Sequence, residues 1–113
     1  MFDKRRFPRV EVDFEVEIFS SLKASLGKGR AVDISTSGIG VKTVQPLKIN
    51  RTADSFVTLS LPDGTSLDKA RVEVRGVEKY KDGYLVKLRF TEMKVIDTMR
   101  EYVAKLSASK EVK

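Results

Sequence analysis

The sequence predicts an all-β fold with a terminal helix: a six-stranded antiparallel β-barrel whose end or side is covered by a C-terminal α-helix. Three observations carry that expectation. Apolar residues recur with period two along most of the chain, turn signals of hairpin length separate the runs, and the period becomes that of a helix only after Met93.

The first strand is the clearest. Val10, Val12, Phe14, Val16 and Ile18 alternate with Glu11, Asp13, Glu15 and Glu17, the pattern of a half-buried strand with one wet face. Residues 20–28 read as a loop, and residues 29–34 as a second strand running into Asp33-Ile34-Ser35-Thr36-Ser37-Gly38. Ile39, Val41 and Thr43 resume the alternation. Residues 46–53 show no clear period and read as a connection within the domain. Val57, Leu59 and Leu61 form a fourth strand, ended by Pro62-Asp63-Gly64, where proline presets φ and glycine accepts a positive φ.

Ala70, Val72 and Val74 then alternate with Arg71, Glu73 and Arg75 until Gly76-Val77 shifts the register as a β-bulge would. Lys81-Asp82-Gly83 makes the hairpin return, with Asp-Gly as the turn signal. Tyr84, Val86, Leu88 and Phe90 form the inward row of the last strand, leaving Lys87 and Arg89 to water. A helix beginning at Thr91 or Glu92 carries Ile96, Met99, Val103 and Leu106 on one stripe, which is expected to dock on the chain's own barrel.

At 113 residues the chain fits one domain. Its expected parts are a flexible basic arm over 1–9, the barrel with its helix over 10–107, and a frayed tail over 108–113. The chain has no cysteine and no histidine, which removes disulfides, thiolate chemistry, most zinc sites and the usual general base. No catalytic residue and no metal ligand is therefore assigned, and no enzyme is expected. No apolar run approaches the roughly 20 residues that span a bilayer, and no signal-peptide pattern follows the charged start, so the expectation is a soluble, cytoplasmic protein without membrane contact.

The net charge of +6 favours anionic partners. Lys4, Arg5, Arg6 and Arg9 face only Asp3 in the first ten residues, so the arm carries +3, half of the excess. Pro8 disfavours a helical Phe7 and supplies no donor, which makes the arm extended. Arg5 and Arg9 then stand roughly 13 Å apart at 3.3 Å per residue, enough to straddle a ligand of dinucleotide size. Arginine suits that grip, because its planar fork can donate to the N7 and O6 acceptors of guanine, hold a phosphate or stack on a base. The plain alternative is a generic basic tail; the spacing gives Arg6 no role.

Asp33 offers acceptors only, and the edge of guanine with its ring N–H and exocyclic amine offers donors only, so the two are complementary. Ser35 can add a hydroxyl bond. Gly38, with Gly40, lets the backbone come close or take a positive φ. The plain alternative is a turn whose Asp33 and Ser35 side chains satisfy nearby backbone N–H groups. Taken together in this order, arm and turn supply positive charge for phosphates and acceptors for guanine, the needs of a guanine dinucleotide of charge about −2.

R-x-x-x-R at Arg5 and Arg9, followed by D-x-S-x-x-G at Asp33, Ser35 and Gly38, resembles the paired signature of the PilZ domain family, and the likeness runs from Arg5 to about Leu106. The resemblance implies a bacterial receptor for cyclic di-GMP, with the arginines on guanine edges and phosphates and the turn reading guanine. It also implies that the residue before the motif, here Lys4, influences whether one ligand or a stacked pair is bound. A further expectation is that the arm is mobile without ligand and folds across the barrel on binding. With no other domain in the chain, the signal is expected to leave through a partner protein, as from an adaptor, the receptor being a monomer or a ligand-linked dimer. Two rivals are a PilZ domain reduced to protein interaction, and a basic barrel binding single-stranded nucleic acid. The second lacks an obvious stacking row, since Phe14, Tyr84 and Phe90 fall in inward positions.

Overall fold

The structure is a computed structural model that describes residues 9–49 and 54–111, with the backbone alone over 107–111. Six strands and one helix follow in order: β1 Val10–Phe19, β2 Ser25–Ile34, β3 Gly38–Thr43, β4 Ser55–Ser60, β5 Ser66–Tyr80, β6 Gly83–Phe90 and α1 Met93–Glu111. The strands pair antiparallel in the order β1-β2-β3-β6-β5-β4, and β4 returns to β1 to close the barrel. Closure leaves no open edge for another chain to extend.

The alternation read in the sequence becomes the inner wall. Val16, Ile18, Ala31, Ile34, Val41, Val57 and Val72 are sealed from solvent, joined by Val86, Leu88 and Phe90 of β6. Burying each larger side chain of this set contributes about 1.5–3 kcal/mol over leaving it exposed. Tyr84, expected inward, is only half-buried. The helix does dock on the barrel, through Val95, Met99, Tyr102 and Val103, while Ile96 and Leu106 are only partly covered. The buried stripe is thus turned toward Val95 and Tyr102, because an i, i+4, i+7, i+8 row from Val95 faces the core more squarely than one from Ile96. The Glu92 carbonyl accepts the Ile96 N–H at 3.0 Å, starting the helix, and the Glu92 carboxylate accepts the Arg71 N–H at 2.9 Å, tying the junction to β5. α1 continues to Glu111, past the boundary expected at 107.

Two local readings change, and one between them holds. The loop after β1 is short, since β2 begins at Ser25 and the Ser20 N–H donates to the Ala24 carbonyl at 2.8 Å. At Gly29, where the strand was expected to start, a Cβ would lie 2.6 Å from the Lys42 carbonyl oxygen, so β3 approaches β2 where no side chain intervenes. The turn after β4 behaves as expected: Gly64 takes φ +96°, and the Thr65 N–H donates to Asp63 Oδ1 at 2.9 Å. At the β5–β6 hairpin Tyr80 pairs with Gly83, so the two loop residues are Lys81 and Asp82, and the positive φ of 54° falls on Lys81. Gly83 serves a different need, because a Cβ there would collide with the Thr43 carbonyl oxygen.

The expected bulge is present. Val74 pairs with Leu88 and Gly76 with Lys87, so Arg75 is the extra residue on β5. It keeps Val74 in the core and adds a charge outside.

Candidate functional site

The Asp33 turn joins β2 to β3 and is locked from both sides. The Ser35 N–H donates to the Gly38 carbonyl at 2.9 Å, and the Gly38 N–H donates to Ser35 Oγ at 3.1 Å. Ser35 is 8% exposed, so its hydroxyl sits inside the turn as the plain reading supposed, accepting one bond and retaining an O–H to donate. The Phe90 N–H donates to the Ser37 carbonyl at 2.8 Å, which pins the turn to the end of β6.

The two glycines answer to close approach rather than to positive φ. A Cβ on Gly38 would stand 2.8 Å from the Leu88 carbonyl oxygen, so the residue is dictated by contact with β6. On Gly40 it would stand 2.9 Å from Asp33 Oδ1; Gly40, cross-strand partner of Asp33, leaves room for that carboxylate.

Arg9, at the end of the arm, places Nη1 3.0 Å from Asp33 Oδ1. Both side chains stay partly exposed, at 39% and 28%. The structure thus brings Arg9, Asp33, Ser35 and Gly38 together. Lys4, Arg5 and Arg6 lie outside the described residues, as does the rest of the arm before Arg9.

A cleft of about 220 Å³ opens beside the turn, lined by Arg9, Ser35, Ser37 and Gly38 and, across from them, by Arg75, Lys87 and Arg89. Asp33 reaches it through Arg9. The far wall follows from register: Gly38 pairs with Arg89 and Gly40 with Lys87, and Arg89 in turn pairs with Glu73 of β5. The sequence marked Lys87 and Arg89 only as facing water. Nothing in it says that β3 pairs with β6, and that pairing is what sets these cations beside the turn. Larger hollows of about 480 and 400 Å³ flank residues 44–46. They contain none of the sequence-derived site residues, and size alone is a poorer guide than the convergence of four cations with the turn.

Groups of three or more acidic or metal-ligating side chains able to hold a metal ion are absent among the described residues, and no helix there is long and apolar enough to cross a membrane.

The architecture is that of a small six-stranded barrel domain, helix-capped, with a cationic cleft beside the β2–β3 turn. The PilZ domain model matches residues 3–105, and the chain belongs to the PilZ family. Among solved structures it is similar to the PilZ domain of YcgR from Escherichia coli with c-di-GMP, at TM-score 0.72 and 13% identity over 96% of this chain and 95% of that one. It is also similar to E. coli YcgR in complex with c-di-GMP, at TM-score 0.77 and 12% identity, covering 96% of this chain and 48% of that one. The Bacillus subtilis inhibitor of motility MotI/DgrA matches at TM-score 0.75 and 16% identity, over 96% and 53%. The chain thus spans about half the length of MotI and of the longer YcgR chain, and at these identities the likeness is one of fold. No curated protein matches the sequence.

Proposed function

We propose that this domain is a receptor for cyclic di-GMP, with Arg9 and Arg5 gripping guanine and phosphate and Asp33, Ser35 and Gly38 reading the second guanine edge. The observation that carries the reading is the 3.0 Å contact of Arg9 with Asp33 at the mouth of a cationic cleft, which joins the arm motif to the turn motif. Membership in the PilZ family and the c-di-GMP complexes of YcgR support it.

In the free protein Arg9 occupies one oxygen of Asp33. An exposed ion pair of this kind is worth about 0–1 kcal/mol, so a ligand that gives Arg9 a phosphate or the guanine O6/N7 edge can replace it at little cost. Asp33 then meets the ring N–H and amine of guanine with both oxygens, a match that adenine cannot offer. Ser35 donates its hydroxyl while the turn stays fixed by backbone bonds. No step breaks or forms a covalent bond, which makes the domain a binder rather than an enzyme. Closing Arg5 and Arg9 over the ligand changes the surface at the turn, and this change is what a partner protein would read in an adaptor.

The test is calorimetric titration with cyclic di-GMP beside GTP, cyclic di-AMP and a single-stranded oligonucleotide. Saturable binding of cyclic di-GMP alone is expected. No heat with cyclic di-GMP together with salt-sensitive oligonucleotide binding would replace the receptor with a nucleic-acid-binding barrel.

A further inference from the structure

The far wall of the cleft carries its own counter-ion. Glu73 stands between two guanidinium groups, with Arg75 Nη1 3.0 Å from Oε1 and Arg89 Nη2 3.6 Å from Oε2, so its two oxygens serve different partners. Its position is set by pairing with Arg89 across β5 and β6, and Arg75, two residues further along β5, shares the same outer face. Lys87, the third cation of this wall, has Nζ 3.4 Å from Glu78 Oε1. All of these side chains remain between 39% and 59% exposed.

That arrangement is unlike a purely structural ion pair in one respect. Two of the three groups in the Glu73 bridge, Arg75 and Arg89, line the cleft that holds Arg9 and the turn, whereas Glu73 does not. A carboxylate behind two cleft-lining arginines offsets one of their two positive charges while the cleft is empty. It also keeps two long side chains from spreading into solvent.

We propose that Arg75 and Arg89 form a second anion grip for the ligand, and that Glu73 is its built-in competitor, surrendering both guanidinium groups when a phosphate enters. The inference rests on the cyclic di-GMP reading and adds to it residues outside both sequence motifs. The exchange is favoured because the existing pairs are exposed and therefore weak, while a phosphate oxygen pair meets a guanidinium fork with matching geometry and higher charge density. Glu73 does not leave; it stays on the same strand face and repels the bound dianion through a partly screened field. Affinity is thereby set by a balance within the wall as well as by the motifs.

The experiment is titration of the whole chain with cyclic di-GMP at two salt concentrations, for wild type, Arg75→Ala, Arg89→Ala, Glu73→Gln and the triple variant combining them, with thermal melts to establish folding. Each arginine variant is expected to weaken binding by about tenfold, the scale of a lost charged hydrogen bond. Glu73→Gln is expected to tighten it by about threefold or more, the scale of one screened like-charge contact, and this gain should vanish in the triple variant. Arginine variants that stay within twofold of wild type would overturn the proposal, as would a Glu73→Gln variant that loses affinity along with them, since Glu73 would then orient the arginines rather than compete. If wild type itself does not bind, the receptor reading falls and takes this one with it. Binding by wild type with unmoved variants removes only the second grip.

Discussion

Arg9 Nη1 lies 3.0 Å from Asp33 Oδ1, so two residues 24 positions apart hold each other at the mouth of the cleft. In the proposed receptor, each is the group that the other's ligand contact must displace. Arg9→Ala is expected to weaken cyclic di-GMP binding by about 1.5–3 kcal/mol, the scale of the charged hydrogen bond that Arg9 makes in the proposed complex. Asp33→Ala should reduce the preference for guanine over adenine dinucleotides. Because the two residues touch in the free protein, the double variant should lose less than the sum of the singles, and calorimetry on all four proteins measures that difference.

Gly40→Ala probes the room left for the Asp33 carboxylate. The added methyl would stand 2.9 Å from Oδ1, and the carboxylate can swing away, so the fold should survive with a melting temperature close to wild type. Affinity for cyclic di-GMP should fall by about an order of magnitude, the scale of a displaced charged hydrogen bond. A variant that binds as wild type does would mean that Asp33 need not hold its present position.

The β5–β6 hairpin predicts opposite results at two neighbouring positions. Lys81→Gly removes a left-handed backbone from a residue with a Cβ and should raise stability by about 0.5–1 kcal/mol, net of the Lys81 contact over the Tyr80 ring. Gly83→Ala should lower it by more than 1 kcal/mol through collision with the Thr43 carbonyl, a backbone contact that cannot rotate away. Chemical denaturation of both variants decides the point.

Asp63 links the β4–β5 turn to the helix. The backbone N–H and the hydroxyl of Thr65, then Lys105, hold its carboxyl below the usual range, and Lys105 Nζ lies 3.7 Å from Oδ2. A carboxyl whose folded pKa lies below its unfolded value contributes stability above the unfolded value, and that contribution is lost as pH falls through the folded pKa. Acid should therefore destabilise wild type more than Asp63→Asn as pH falls through and below the ordinary carboxylate range, read as the difference in melting temperature between the two proteins.

Met99 is fully sealed under the helix. Met99→Ala should cost about 2–5 kcal/mol in denaturant unfolding, because the core around it relaxes only partly into the cavity left behind. A loss below 1 kcal/mol would show that the helix is peripheral to the core.

The barrel was legible because closure makes burial and alternation agree: Val16 and Ile18 point in, Glu15 and Glu17 point out, and the same holds strand after strand. The bulge near Gly76 was legible from one broken alternation. The start of β2 at Ser25 was not, since residues 25–28, with Gly27 among them, carry little strand signal and only pairing with β1 makes them a strand. At the candidate site the sequence indicated Arg9, Asp33, Ser35 and Gly38 through their chemistry. It was silent on Arg75, Lys87 and Arg89, because their place depends on β3 pairing with β6 across a long stretch of chain, and alternation reports which face a residue takes but not which strand stands beside it.

The extra residue in β5 has a consequence for aligning this chain with other barrels. A residue-by-residue alignment that omits it shifts everything beyond Val74 by one position and turns the outer charges of the strand onto its apolar side. A family profile scored that way would put Glu78 on the core side, when it is exposed and its carboxylate lies 3.4 Å from Lys87 Nζ on the outer face.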